Sequence, residues 1–494
     1  MKKVIEFLEN YWLASLIIIL LLNFGLRLLV YYKTVLFNFS DYKIYLTGID
    51  SIRNQGHINL VNGNFLFTIS YIGYYAKYVI GSMNYFYIMN CFLGTMTTLI
   101  MSILIIRLSG NRISGILTTL ILTFYTEFMV FSSVFYTPIL TLFLLSLFIL
   151  LLYYYYRGRS LEVRMLWALL IVLVFIISFL FKPELIFFPI FLGFFSLIFI
   201  RNDKVFFYRN LFLVLSLALG FLIFNYSGFY GKVKESEIAN DFVFFGHTDY
   251  GGNGGEGSFI LPENKARYDE AWKNYREEHG INEPTVKDRN HFQLLEMKKF
   301  ITNYPFKWVG LQFTKFFRTF GVVPETTSFK VLYTGLLKEN LWLTSIIVVA
   351  PIALIILLFI SFLNFSAFKK LFISINEPPP ALKANKTSSQ QIFNNKHFLY
   401  IYILLFFYYL IATIFFGQYQ ERYRMPVIVA FVIPLLSYFI STFEKEQFLN
   451  RISLSVKSIV IVLFVTIWMF QTNKAISDKA RFNNAIESVK GAIE

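Results

Sequence analysis

The stretch YTPILTLFLLSLFILLLYYYY, Tyr136 to Tyr156, contains no charged residue, and apart from its tyrosines its polar side chains are Thr137, Thr141 and Ser146. As a helix it rises about 30 Å, the thickness of a bilayer's hydrocarbon core. Consecutive tyrosines at its end, followed by Arg157, close it as amphipathic rings and a cation close a span at the headgroup level. Runs of the same kind recur along the chain. They lie near 11–32, 83–106, 113–134, 136–156, 165–181, 184–200, 208–228, 341–364, 397–416, 424–442 and 454–471, about eleven in all. A shorter apolar segment at 65–80 reads as a re-entrant or interfacial piece. The expected fold is an all-α polytopic membrane protein.

Composition agrees. Hydrophobic residues fill 56% of the 494 positions and charged ones 15%, with a mean hydropathy of +0.57. A water-soluble chain of this length needs more charge to cover its surface. The net charge of +15 is accounted for by basic loops on one side of a membrane. No basic stretch lies on a soluble domain of any size, which argues against nucleic acid as a partner. Cys91 is the single cysteine and sits in an apolar run, leaving neither an intramolecular disulfide nor a thiolate metal site. The first apolar stretch is too long for a signal peptide and lacks a small-residue cleavage site, so it reads as a retained helix.

Basic residues in alternate loops set the orientation. One set of loops carries eighteen Lys and Arg, among them Lys2, Arg107, Arg157, Arg201, Lys369 and Lys445. The short loops of the other set carry seven: Lys33, Lys43, Arg53, Lys77, Lys182, Arg422 and Arg424. The count puts the first set and the N-terminus in the cytoplasm, as a multi-pass protein of the plasma (inner) membrane. The chain then divides into an N-terminal transmembrane module (1–228), an external segment (229–340) and C-terminal transmembrane helices (341–494). A cytoplasmic linker at 365–396 contains Pro378-Pro379-Pro380. The external segment has a glycine-rich loop, Gly251 to Gly257, then a charged helical stretch. An amphipathic, aromatic-rich stretch from Phe292 to Phe320 follows, with Lys298, Lys299, Lys307, Lys315 and Arg318, the pattern of a helix lying in the membrane interface.

Ionisable groups in or beside a membrane are costly and each needs a reason. Arg27 lies in the outer part of the first span and Glu127 in that of the third. Lys182-Pro183-Glu184 forms a tight external turn. Glu421-Arg422-Tyr423-Arg424-Met425-Pro426 opens a late span, and Asp41 opens the first external loop. All fall on the same predicted side, as a single external site requires. Plainer roles compete: snorkelling for Arg27 and Lys182, helix packing for Glu127, an N-cap for Asp41, and interfacial anchoring for Arg422 and Arg424. The glycine run lacks the strand, lysine and helix of a nucleotide cradle and reads as a loop. His247 and Asp249 are two metal donors without a partner cluster. No Ser-His-Asp or Cys-His arrangement is evident.

At these residues the chain resembles the polytopic GT-C glycosyltransferases, particularly the bacterial branch related to protein O-mannosyltransferases and aminoarabinose transferases. The resemblance is one of ordered features. Gly25-Leu26-Arg27-Leu28 ends the first span, and Asp41, with Tyr45 nearby, opens a short external helix running to Gly56. Lys182-Pro183 stands where the family often has Arg-Pro. Phe244 through Gly257 is aromatic and rich in Gly, and Asn303-Tyr304-Pro305 is similar to the family's Asn-x-Pro helix start. Glu421 through Pro426 resembles its Arg-Tyr-x-x-Pro signature. Two departures stand out: Tyr42 follows Asp41 where many relatives have Glu, and Thr137-Pro138 replaces an acid after the third span.

The resemblance implies a GT-C-like fold and a sugar donor on a polyprenyl phosphate, with no soluble nucleotide sugar consumed. No cofactor is expected, and no metal, since the sequence shows no ligand cluster. Asp41 would be the general base, accepting the acceptor hydroxyl's proton with inversion at the anomeric carbon. Arg422 would grip the leaving phosphate, with Lys182, Lys77 and Arg424 as further cations. Arg27, Tyr45, Glu127, Glu184 and Tyr423 complete the expected substrate-binding set. A flippase of lipid-linked sugars and an external polysaccharide polymerase or ligase are the competing readings.

Overall fold

In the computed structural model the described residues are 10–33, 40–56, 67–158, 160–182, 184–226, 241–251, 262–319, 386–415 and 421–442. In lipid a helix turns apolar side chains outward and keeps polar ones among its neighbours. Helix α1 (Trp12–Lys33) does this: Ile17, Ile18, Leu21 and Leu22 are exposed, while Asn23 and Arg27 are buried. After α2 (Ser40–Gln55) comes a short helix, α3 (Phe67–Tyr74), extended by a wide π turn, Tyr75–Val79. The expected re-entrant or interfacial segment at 65–80 is thus a short helix, packed on α2 and on a later span.

Two long runs follow as α4 (Asn84–Ser109) and α5 (Arg112–Phe124). Small residues spaced four apart run along both helices, Gly94, Thr98 and Ser102 on α4 and Gly115, Thr119 and Thr123 on α5, and the two meet where Ser102 faces Gly115 and Thr119. Such spacing lets two helix backbones approach closely. A Cβ at Gly115 would stand 3.1 Å from the Ser102 carbonyl and 2.4 Å from the Ile106 side chain. The hydroxyls fold back on their own helices, and Ser102 meets Thr119 across the seam at 2.7 Å. No hydroxyl is left to face lipid alone.

The predicted span at 113–134 is broken. Tyr125 is extended, and α6 (Thr126–Val130) leaves at 66° to α5, passing into a 3-10 turn at Phe131–Ser133. Pro138 then opens α7 (Pro138–Arg157), where its missing N–H costs nothing. Next are α8 (Leu161–Phe181), α9 (Phe188–Leu197) and α10 (Lys204–Tyr226). The run at 184–200 is therefore shorter than a full span, because turns at 184–187 and 198–202 bracket its helix.

Helices α11 (Asp241–His247), α12 (Pro262–Glu278) and α13 (Val286–Asn303) form a small core of their own from Phe244, Phe245, Tyr250, Tyr268, Tyr275 and Phe292. A capping box at Thr285 and Asp288 starts α13. The single amphipathic helix expected over Phe292–Phe320 is two helices, since Pro305 cannot continue α13 and instead begins α14 (Pro305–Thr319). Of the glycine run, Gly252 to Gly257 lies outside the described residues.

Helix α15 (Lys386–Phe415) packs on α7. The last described unit runs from α16 (Glu421–Val427) through a π turn, Ile428–Val432, into α17 (Ile433–Thr442). Pro426 lies inside α16, and Tyr402 on α15 donates its hydroxyl to the Ala430 carbonyl in the π turn.

The protein is thus a helical membrane protein, with no strand among the described residues. Six helices are long and apolar enough to cross a membrane: α1, α4, α7, α8, α10 and the apolar part of α15. The α5–α6 pair forms a bent seventh, and Tyr423–Ser437 is a shorter apolar unit. The expected spans at 341–364 and 454–471 lie outside the described residues, as do most of the linker at 365–396 and residues 229–240.

Candidate functional site

Two charges at the break in the third span decide its shape. Glu127, on α6, receives Arg424 of α16: Nε donates to Oε2 at 2.9 Å, and Nη2 donates to Oε1. Tyr125, the residue at the break, donates its hydroxyl to the same Oε2 at 2.8 Å. On the other flank Arg27 donates from Nη1 to the Phe128 carbonyl at 2.7 Å and to the Ser132 hydroxyl, and lies over the Phe128 ring at 3.9 Å. Its Nε donates to Asn23, one turn back on α1, at 2.9 Å. Breaking a helix frees carbonyls, and a buried carbonyl must find a donor. Arg27 supplies one and Arg424 neutralises the carboxylate.

Arg27, Glu127 and Arg424 each expose only 1% of their surface. Arg27 therefore does not snorkel, and the Arg424–Glu127 pair is sealed from ligands. Around Arg27 the fit is tight. A Cβ at Gly94 would lie 2.5 Å from its Nη1 and 2.8 Å from Cζ, so any larger residue there would force the buried guanidinium to shift. Asn23 carries the network onward, donating to Thr123 at 3.1 Å and accepting from Thr95 at 3.0 Å.

Next to Arg424, Tyr423 faces another cation. Lys182, just past the end of α8, stands 4.1 Å from the Tyr423 ring centroid and pairs with Glu184. Tyr408 donates to the Glu184 backbone carbonyl, and Tyr409 faces its carboxylate. The Lys182 and Glu184 side chains remain 26% and 21% exposed. This pair is the open end of the network. Phosphate oxygens or sugar hydroxyls could exchange with the Glu184 carboxylate on Lys182, whereas nothing can enter between Arg424 and Glu127.

The structure therefore joins six of the residues singled out from sequence: Arg27, Glu127, Lys182, Glu184, Tyr423 and Arg424. Tyr45 is buried among aromatic rings, 5.8 Å from Phe135 and 5.7 Å from Tyr136. Lys77 and Arg53 both lie against the Tyr78 ring, at 5.0 and 4.8 Å. Asp41 is on α2 and Arg422 on α16, but their side chains lie outside the described residues. Asn23, Gly94, Tyr125, Ser132, Tyr408 and Tyr409 were not anticipated. Two signals could have found some of them: Asn23 precedes Arg27 by one helical turn, and Gly94 starts the small-residue row of α4.

Compared with known proteins, the chain matches no family model and no curated relative.

The two metal donors of the 241–251 segment have other work. His247 accepts from Trp308 at Nδ1, 3.0 Å, and contacts the Phe415 carbonyl through Nε2, while Asp249 pairs with Arg267 at 2.6 Å. Nδ1 must then be unprotonated and Nε2 must carry the hydrogen. Burial, reinforced by Lys315, pulls the His247 imidazole down to about 4. Burial likewise pulls Lys315 down to about 7. Among the described residues no three His, Cys, Asp or Glu side chains gather as a metal site.

Proposed function

We propose that the protein is a membrane glycosyltransferase that moves a sugar from a polyprenyl-phosphate donor to an acceptor hydroxyl on the extracytoplasmic face of the plasma membrane. One observation carries the reading. Charged residues from four distant parts of the chain, at positions 27, 127, 182–184 and 424, are linked by contacts through one another and their chain neighbours Phe128 and Tyr423, ending in a Lys–Glu–Tyr cluster whose charged side chains are about a quarter exposed. A lipid-linked phosphate requires such a cation within reach of both bilayer and water.

In the proposed reaction the acceptor oxygen attacks the anomeric carbon and forms the new glycosidic bond, with inversion. The bond from that carbon to the phosphate oxygen breaks, and polyprenyl phosphate leaves with the electron pair. The acceptor's proton passes to the Asp41 carboxylate. Lys182 and Arg422 offset the charge growing on the leaving phosphate. Arg424, held by Glu127 and Tyr125, fixes the start of α16, and so the backbone position from which Tyr423 supports Lys182. Tyr423 and Glu184 hold the lysine in the donor's absence, and Tyr408 in turn holds Glu184.

The test is transfer of labelled sugar from a polyprenyl-phosphate donor by purified protein in proteoliposomes. Asp41→Asn should abolish transfer while leaving donor binding intact. Unchanged turnover would remove Asp41 from the mechanism. Labelled lipid crossing the bilayer with its sugar bond intact would replace the transferase with a flippase.

A further inference from the structure

Helix α14 is built inside out. Its packed side carries Leu311 together with Gln312, Lys315 and Thr319, whereas Phe306, Val309, Phe313 and Phe316 are exposed. Those four recur at spacings of three, four and three, which makes one stripe along the helix. A helix on the water-washed surface of a protein turns its phenylalanines inward and its lysine outward. Here the Lys315 ammonium donates to the Gly246 carbonyl at 2.9 Å, and Gln312 reaches the same oxygen at 3.5 Å. Trp308 donates to His247, and His247 contacts the carbonyl of Phe415, where α15 ends.

These polar contacts fasten α14 to α11 and to the end of an apolar span. At that end Phe407 and Phe415 on α15 are also exposed, as apolar side chains on a span are. Lys307 beside the stripe is an exposed cation that suits a headgroup layer, whereas the exposed Lys299 of α13 is already paired with Glu296 at 2.9 Å.

We propose that the stripe Phe306–Val309–Phe313–Phe316 is seated in the boundary between headgroups and acyl chains of the bilayer that holds the spans, making α14 an in-plane membrane helix. The partner is the lipid surface. The proposal does not depend on the sugar-transfer reading, because it concerns how α14 is solvated and would hold equally for a flippase.

The test uses full-length protein in phosphatidylcholine vesicles containing lipids brominated near the glycerol end of the acyl chain. An environment-sensitive fluorophore is attached through cysteine at Phe306→Cys, Phe313→Cys and Phe316→Cys, and for comparison at Lys307→Cys and Thr314→Cys. Cys91 is buried, and a Cys91→Ala background removes residual labelling. Quenching at the three stripe positions should exceed that at the two comparison positions at least threefold. Equal quenching at all five positions would overturn the proposal. So would a stripe shielded from brominated lipid and from aqueous iodide alike, since another segment or a second copy of the chain would then cover it. A second readout needs no substitution. Photoactivated carbene lipids should tag the peptide spanning 305–316 as strongly as α1, and tagging of α1 alone would also overturn it.

Discussion

The guanidinium of Arg424 closes on the carboxylate of Glu127 across 297 residues of chain. The start of α16 thereby meets the chain where the third span breaks. Removing one member of a buried pair strands the other, at a typical cost of about 3–5 kcal/mol, whereas replacing both with apolar groups of similar volume is often neutral. Glu127→Leu and Arg424→Met should therefore each lower the thermal midpoint in detergent by several degrees, and the double variant should recover most of the loss. Three variants melting alike would show that the pair contributes nothing.

Gly94→Ala should be far more damaging than an ordinary helix substitution, where alanine is favoured by about 1 kcal/mol over glycine. Its methyl group collides with Arg27, and overpacking a tight core costs about 1–3 kcal/mol. Arg27 would be displaced from the Phe128 carbonyl, leaving that buried acceptor only the longer Ser132 hydroxyl contact at 3.3 Å. Protease resistance of the 124–137 break should fall with it. A Gly94→Ala protein as resistant as wild type would show that Arg27 has room to move.

Acid should loosen α14 from α11. The folded His247 sits near 4, below the usual histidine value of about 6.5. The unfolded form binds the proton first as pH falls, so stability present above about 6.5 drains away toward 4. Lys315 adds the same sign at higher pH: with its folded value near 7 and its free value near 10.5, docking strengthens as pH rises between them. Amide exchange in the 305–319 peptide should slow steadily from pH 4 to 6.5 after correction for intrinsic rates, and His247→Gln should flatten that slope. An unchanged slope in the variant would assign the acid response elsewhere.

For the proposed reaction, Lys182→Gln should raise KM for the lipid donor about tenfold or more, the loss of a charge-assisted contact worth about 1.5–3 kcal/mol. Tyr423→Leu, which removes the ring under that cation, should shift KM less and in the same direction. Steady-state kinetics with varied donor decides this. A KM unmoved by Lys182→Gln would take Lys182 out of the donor site.

Hydropathy made most of the fold legible. Runs such as 11–32 and 136–156 became α1 and α7 nearly residue for residue, because lipid sets both their length and their composition. The break at Tyr125 was hidden. Neither Gly nor Pro marks it, and the contact that turns Glu127 aside comes from Arg424, remote in sequence. Pro305 did mark the end of α13, yet the amphipathic pattern reads straight through it. At the site, charges announced themselves by their cost in an apolar run. Their partners did not: Asn23, Ser132, Tyr408 and Tyr409 look ordinary until the helices are packed. Tyr45 and Tyr423 are alike in sequence, and packing puts the first in an aromatic core and the second under a lysine.

The broken third span also constrains how the protein is made. Residues 112–137 leave the ribosome with the Glu127 carboxylate held by the Tyr125 hydroxyl but without its cation, and Arg424 follows 297 residues later. Until then the half-built bundle would hold a carboxylate with no cation beside it in an apolar segment, a costly group in lipid. Completion of the last described helices should therefore lengthen the chain's lifetime. Chains truncated before residue 421 should be short-lived in pulse–chase experiments, and Glu127→Leu should prolong their lifetime. Equal lifetimes for the two truncated forms would remove that role from Glu127.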